Sequence, residues 1–137
     1  MNRKRRVYRL QWGLTLLALG ALWGTAWCLP ADARGYGSHE ALGLPPCTMR
    51  VLFGQPCPGC GMTTAFAHLA KGHWQAAWIA QPAGVILATC SAGLALLAAF
   101  GLWRAWSPLD VLWRLGAHWL AIGLSGVILI VWGWRLW

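Results

Sequence analysis

Long apolar blocks alternating with short polar stretches set the plan of the chain. The first block runs from about Leu10 to Leu29 without a charged residue. At about 1.5 Å per helical residue it spans roughly 30 Å, the thickness of one hydrocarbon core. Trp23 and Trp27 near its far end suit an interface, and Pro30 stops it. The second block runs from Pro82 to Trp103; Pro82 fits the first turn of a helix, where its missing N–H is not needed, and Arg104 closes it. The third runs from about Leu115 to Trp134, with its most apolar stretch from Leu120 to Trp132, and Arg135 follows. The pattern predicts an all-α integral membrane protein with three transmembrane helices, about 10–29, 82–103 and 115–134. These make a single membrane domain over 1–137, with a cysteine-bearing segment, 45–82, between the first two spans.

Between the first and second blocks the periodicity changes. Gly35, Gly37, Gly43, Pro45 and Pro46 break any regular pattern, so the opening reads as a loop. Met62, Ala65, Phe66 and Leu69 then fall at i, i+3, i+4 and i+7, the stripe of an amphipathic helix over about 61–71, and Gly72 is placed to end it. A second short amphipathic piece, about 73–80, carries Trp74 and Trp78 one turn apart. Both are expected at the outer face of the membrane.

Composition supports lipid as the solvent. Charged residues are 10% of the chain and hydrophobic ones 58%, whereas a soluble domain carries about a quarter charged residues. The net charge of +8 is unevenly placed: Arg3, Lys4, Arg5, Arg6 and Arg9 precede the first block, as in a cytoplasmic anchor beside anionic lipid. No nucleic-acid-binding motif accompanies the charge, so nucleic acid is not an expected partner. With the N-terminus inside, those five residues, Arg104 and Arg114 lie in the cytoplasm, and Arg34, Arg50, Lys71 and Arg135 outside. The bias predicts a bacterial inner-membrane protein with the N-terminus cytoplasmic and the cysteine motif and C-terminus external. Trp103, Trp106 and Trp113 would form the inner aromatic belt; Trp74, Trp78, Trp132, Trp134 and Trp137 the outer one. Ala31-Asp32-Ala33 resembles a signal-peptidase site, but the apolar stretch before it is longer than a signal peptide's and carries Trp and Gly beside the site, which favours a retained span.

The chemistry gathers in Pro56-Cys57-Pro58-Gly59-Cys60-Gly61, a Cys-x-x-Cys just before the helix that starts near Met62. The positive end of a helix stabilises a thiolate, which makes Cys57 and Cys60 the candidates for direct thiol chemistry. Cys47 supplies a third sulfur if the loop folds back. Three thiolates suit Zn or another soft metal, with a water or His39 as fourth ligand. His68 shares a helical stripe with Cys60 and Thr64, but eight residues of helix separate Cys60 from His68 by about 12 Å, too far for a common ion. A structural disulfide, Cys57 with Cys60 or either with Cys47, is the simpler alternative on an oxidising outer side. Thiol–disulfide exchange is the third. The spacing does not choose among them, and the βαβ pattern of a thioredoxin-like domain is missing. Cys28 and Cys90 read as small buried hydrophobes. His68 and Lys71 read as a solvated helix face, Asp110 as a loop charge beside Arg104 and Arg114, and His118 as an interfacial histidine. No span carries a mid-membrane carboxylate or lysine, which weakens a transporter reading.

The string from Pro56 to Gly72, PCPGCGMTTAFAHLAKG, resembles the signature of a family of small bacterial membrane proteins, domain-of-unknown-function family 2752. Its members show a Cys-Pro-x-Cys-Gly-x-Thr-Arg core, an upstream Cys, a short helix ending in Gly, and Asn-Pro before a membrane span. Cys57, Pro58, Cys60, Gly61 and Thr63 match the core, with Gly59 at its variable position. Cys47, Gly72 and Pro82 match the flanking positions. Thr64 stands where Arg is common and Gln81 where Asn is, so any role of that arginine is vacant at position 64. The resemblance implies a membrane protein and brings no assigned activity.

The combined expectation is a non-enzymatic accessory or structural subunit, in contact with lipid and with other membrane-protein subunits, whose external loop forms a disulfide or metal site. A membrane thiol–disulfide or metal-handling protein and a small oligomeric transporter are the alternatives. A reporter inserted near Asp110 is expected to be cytoplasmic and one fused after Trp137 external; the reverse pattern in a fusion assay would overturn the orientation.

Overall fold

The computed structural model describes residues 3–136, so Trp137 of the expected outer belt lies outside the described residues. Among these the chain forms seven α-helices, one short 3-10 helix and no strand. The order is α1 (Arg3–Cys28), the 3-10 helix (Ser38–Leu42), α2 (Thr48–Phe53), α3 (Met62–Ala70), α4 (Trp74–Ala80), α5 (Pro82–Arg104), α6 (Pro108–Arg114) and α7 (Ala117–Leu136).

Two of these, α5 and α7, are long and apolar enough to cross a membrane, with mean hydropathies of 2.2 and 1.6. This corrects the expectation of three such helices. The first block is helical, but α1 starts at Arg3 and takes the basic cluster into its first turns. Its apolar part is diluted by Gln11, Thr15, Thr25 and repeated Trp and Gly, which lowers its hydropathy. The short helices over 62–70 and 74–80 lie where the periodicity placed them. Three elements stand where the sequence predicts loop. The 3-10 turn and α2 are only 5 and 6 residues long, too short for a period to show. Helix α6 begins at Ser107-Pro108, with the Ser107 hydroxyl accepting the Asp110 N–H at 3.4 Å; this N-cap signal is present in the sequence.

Helices α1 and α5 pack along one another through a large residue set against a small one. Trp12 is 1% exposed, lies against Gly101, and donates its indole N–H to the Trp106 carbonyl at 3.0 Å. Near the other end Trp23 donates to the Ser91 hydroxyl at 3.2 Å and packs on Phe66, ring centres 5.7 Å apart. Helices α3 and α4 fold over this end of the pair. There Ala26, Ala65, Phe66, Leu69, Ala77, Ala80, Val85 and Ala88 form the core. Gly84 lets α3 approach α5 closely, since a Cβ there would stand 2.9 Å from that of Ala65. Lys71 ties the end of α3 to α1 through the Leu29 carbonyl, at 2.6 Å.

Helix α7 lies against α5 and α6 with no buried residue of its own. Its outer end is fastened by side chains to the cysteine loop.

The Trp12–Gly101 contact gives a direct test. A methyl at position 101 falls within the Trp12 indole, which is too enclosed to move aside. Gly101→Ala is expected to destabilise the protein by about 1–3 kcal/mol, the range for overpacking, measured by unfolding in detergent. Unchanged stability would show the interface to be slack.

Candidate functional site

The cysteine loop is built from tight turns that its sequence dictates. The Cys60 N–H closes on the Cys57 carbonyl at 3.0 Å and the Met62 N–H on the Gly59 carbonyl at 3.1 Å. Gly61 follows with φ of 89°, a conformation that favours glycine. It also passes where no side chain fits: a Cβ on Gly61 would meet the carbonyl oxygens of Ala80 and Gly35 at 2.6 and 2.8 Å. The chain then enters α3.

This turn places Cys57 and Cys60 side by side. Their sulfurs stand 3.4 Å apart, and the Cys57 backbone N–H donates to the Cys60 sulfur at 3.3 Å. Cys47, at the start of α2, brings the third sulfur, and all three lie within 4.8 Å of one another with no disulfide formed. Cys28 and Cys90 are elsewhere on the long helices and are exposed, not buried as their apolar surroundings suggested; among the described residues those helix faces have no protein neighbour to cover them.

Cys47 and Cys60 differ in character. Burial pushes the Cys60 thiol up to about 11, with the neighbouring Cys47 and Cys57 sulfurs adding to the shift. Cys47 is lowered to about 7, chiefly by the Arg50 backbone N–H in the first turn of α2. That N–H makes its full hydrogen bond to the Cys47 carbonyl, at 3.0 Å, and lies near the sulfur. Cys47 is therefore more acidic than Cys60.

Donors from distant parts of the chain hold the loop. Trp132 on α7 donates its indole N–H to the Pro56 carbonyl at 2.8 Å. Gln81, 1% exposed, donates to the Pro58 carbonyl at 3.0 Å. Arg135, one turn beyond Trp132, donates to the Cys60 carbonyl at 3.1 Å and to the carbonyls of Ile79 and Ala80 at the end of α4. None of the three was identified from the sequence as part of the site. In the sequence Gln81 stands out only as a departure from Asn, Trp132 as an outer-belt residue and Arg135 as an external charge that follows the third block.

An open groove of about 570 Å³ runs beside the sulfurs, lined by all three cysteines and by Tyr36, His39 and Arg50 among others. His39, the expected fourth ligand, lines the same groove, while the grouped ligand atoms are the three sulfurs. His39 belongs to the 3-10 turn, bounded by left-handed Gly37 and Gly43 and held by Arg34, which pairs with Asp32 at 2.6 Å and Glu40 at 3.2 Å. The hydrogen bonds from Arg34 hold the Asp32 carboxyl down to about 2. Thr63 lines the groove, whereas Thr64 is fully buried and its hydroxyl accepts the Ser38 N–H at 3.4 Å. His68 also lies outside the sulfur group; burial lowers its pKa, and its Nδ1 is buried without a hydrogen-bond partner among the described residues. Gly72, with φ of 78°, ends α3, its N–H closing on the Leu69 carbonyl at 2.9 Å. Pro82 occupies the first turn of α5.

Residues 47–103 match the family described as "Protein of unknown function (DUF2752)". The matched segment runs from Cys47, the first clustered sulfur, through nearly all of α5 to Trp103. No curated protein and no solved structure matches the chain.

The division of thiol character predicts a pH profile. In a Cys28→Ala, Cys90→Ala background, alkylation of Cys47 by iodoacetamide is expected to rise with a midpoint near pH 7, because a lowered pKa exposes the thiolate at lower pH. Cys60 is expected to stay slow up to about pH 9, since its raised pKa keeps it protonated there. Mass spectrometry resolves the sites; a faster Cys60 would contradict the geometry.

Proposed function

Starting from this family segment and the sulfur cluster beside it, we propose that the protein is a multi-pass inner-membrane accessory subunit whose external cysteine cluster binds a soft divalent cation, best fitted by zinc. The observation that carries the reading is the approach of Cys47, Cys57 and Cys60 to within 4.8 Å. Thiolates about 2.3 Å from a tetrahedral zinc stand about 3.8 Å from one another, so small rotations of these side chains suffice to share an ion. The donor set is soft, and N–H groups on Cys57 and Arg50 lie beside the sulfurs to support their charge. A disulfide would use two sulfurs and leave the third without a role.

The membrane part rests on α5 and α7, which are apolar and present most of their surface outward. Helix α1 serves as a third span by packing along α5, with its basic N-terminus in the cytoplasm. The sulfur cluster, at the opposite end of α1, is then external. The ion's role in this reading is structural: it locks the α2 start to the α3 start.

Active thiol–disulfide exchange is the second reading, favoured by the 3.4 Å separation of Cys57 and Cys60 beside the more acidic Cys47. A thiolate would attack a partner's disulfide, and its neighbour would resolve the mixed disulfide.

The test is metal binding by the full chain, purified reduced in detergent. One Zn or Co(II) per chain is expected, with thiolate-to-cobalt absorption, and Cys47→Ser, Cys57→Ser and Cys60→Ser should each weaken it sharply. Arg135→Gln, which leaves every sulfur in place, is expected to cost about 10–100-fold in affinity, as loss of a supporting contact does. No metal, together with a mixed disulfide to another protein trapped by Cys57→Ser or Cys60→Ser, would replace this reading with exchange.

A further inference from the structure

Arg50 is an unused cation beside the sulfurs. Its guanidinium lies 3.5 Å over the Tyr36 ring, which fixes its plane by cation–π stacking. Its Nε is buried and has no hydrogen-bond partner among the described residues. An orphaned charged donor is costly. Among the described residues no side-chain carboxylate pairs with it: the chain has 3 acidic residues, of which Asp32 and Glu40 pair with Arg34 and Asp110 is on α6. Glu40 does line the same groove, but through this ion pair with Arg34. Arg50 also borders an adjoining cavity of about 330 Å³ with Cys60 and Arg135. Both cavities are lined by Tyr36, Arg50 and Cys60.

Charge balance points the same way. Three thiolates around a divalent cation carry one net negative charge, while Arg50 and Arg135 bring two positive ones. Three protein sulfurs also leave the fourth position of a tetrahedral ion open, with no further ligand grouped with them among the described residues.

We propose that the groove beside the sulfurs binds a small oxyanion of the carboxylate or phosphate class, gripped by the Arg50 guanidinium, and that in the metal-loaded site an oxygen of this anion takes the fourth coordination position. The planar fork of an arginine matches the paired oxygens of such groups. The coordination half rests on the metal reading above; the anion half does not. Phosphate chemistry could come from solution or from a lipid headgroup at this face, and the arms of the test separate these sources.

The metal-free chain, reduced and in detergent in the Cys28→Ala, Cys90→Ala background, is alkylated at Cys47 with and without inorganic phosphate. Saturable protection is expected, with none from chloride at matched ionic strength. Arg50→Gln should weaken it at least tenfold, and Arg50→Lys, which keeps the charge without the fork, should fall between. Circular dichroism checks that each variant keeps its helices. Arg50-dependent protection in phosphatidylglycerol nanodiscs free of inorganic phosphate, but not by phosphate in detergent, supports the site and identifies the ligand as a lipid headgroup. Absence of Arg50-dependent protection in both settings overturns the proposal. The Co(II)-loaded chain then tests the coordination half: phosphate should shift the cobalt d–d bands. Protection of the metal-free chain without such a shift overturns that half, whereas protection in a chain that binds no cobalt keeps the anion site and rejects the metal reading.

Discussion

Three peptide carbonyls of the cysteine loop, on Pro56, Pro58 and Cys60, are each closed by a side chain from a distant part of the sequence: Trp132, Gln81 and Arg135. Prolines 56 and 58 deny the loop a regular ladder of its own, because neither offers an N–H. A buried carbonyl left open costs about 1–3 kcal/mol. The loop therefore keeps its shape only while α7 and the junction of α4 with α5 are docked. Trp132 and Arg135 lie one turn apart, so a single face of α7 delivers both donors. Arg135 also closes the end of α4, and one guanidinium thereby joins three segments.

The placement of the thiols follows from that docking. With the Cys60 carbonyl held and Gly61 pressed between the Ala80 and Gly35 carbonyls, the Cys60 sulfur turns into a buried position. Cys47 stays at the rim, beside the first turn of α2. Burial and the N-terminal N–H thus act in opposite directions on two sulfurs of one cluster. One sulfur of the cluster is thus more acidic than an ordinary thiol and another less.

Tryptophan has more than the anchoring role that its abundance suggests. Trp12 fills the space that Gly101 leaves on α5, Trp23 reaches Ser91 and Phe66, and Trp132 closes the loop. Each joins separate segments of the chain through its indole N–H. Trp27, Trp78 and Trp134 remain exposed, as interfacial residues would be.

Helical class, the positions of α3, α4 and α5, the turn at Gly72 and the family of residues 47–103 were legible in the sequence. Each depends on local period, a proline or glycine at a boundary, or a contiguous motif. The cysteine motif was legible for the same reason, and Cys47 as a candidate third sulfur. Tertiary structure alone decided that the three sulfurs meet, that His39 lines the groove beside them, and that Arg50 stacks on Tyr36. It alone brought Trp132 and Arg135 to carbonyls more than seventy residues away. A side-chain donor carries no periodic mark of the carbonyl it will reach, because that pairing is set by how the helices dock.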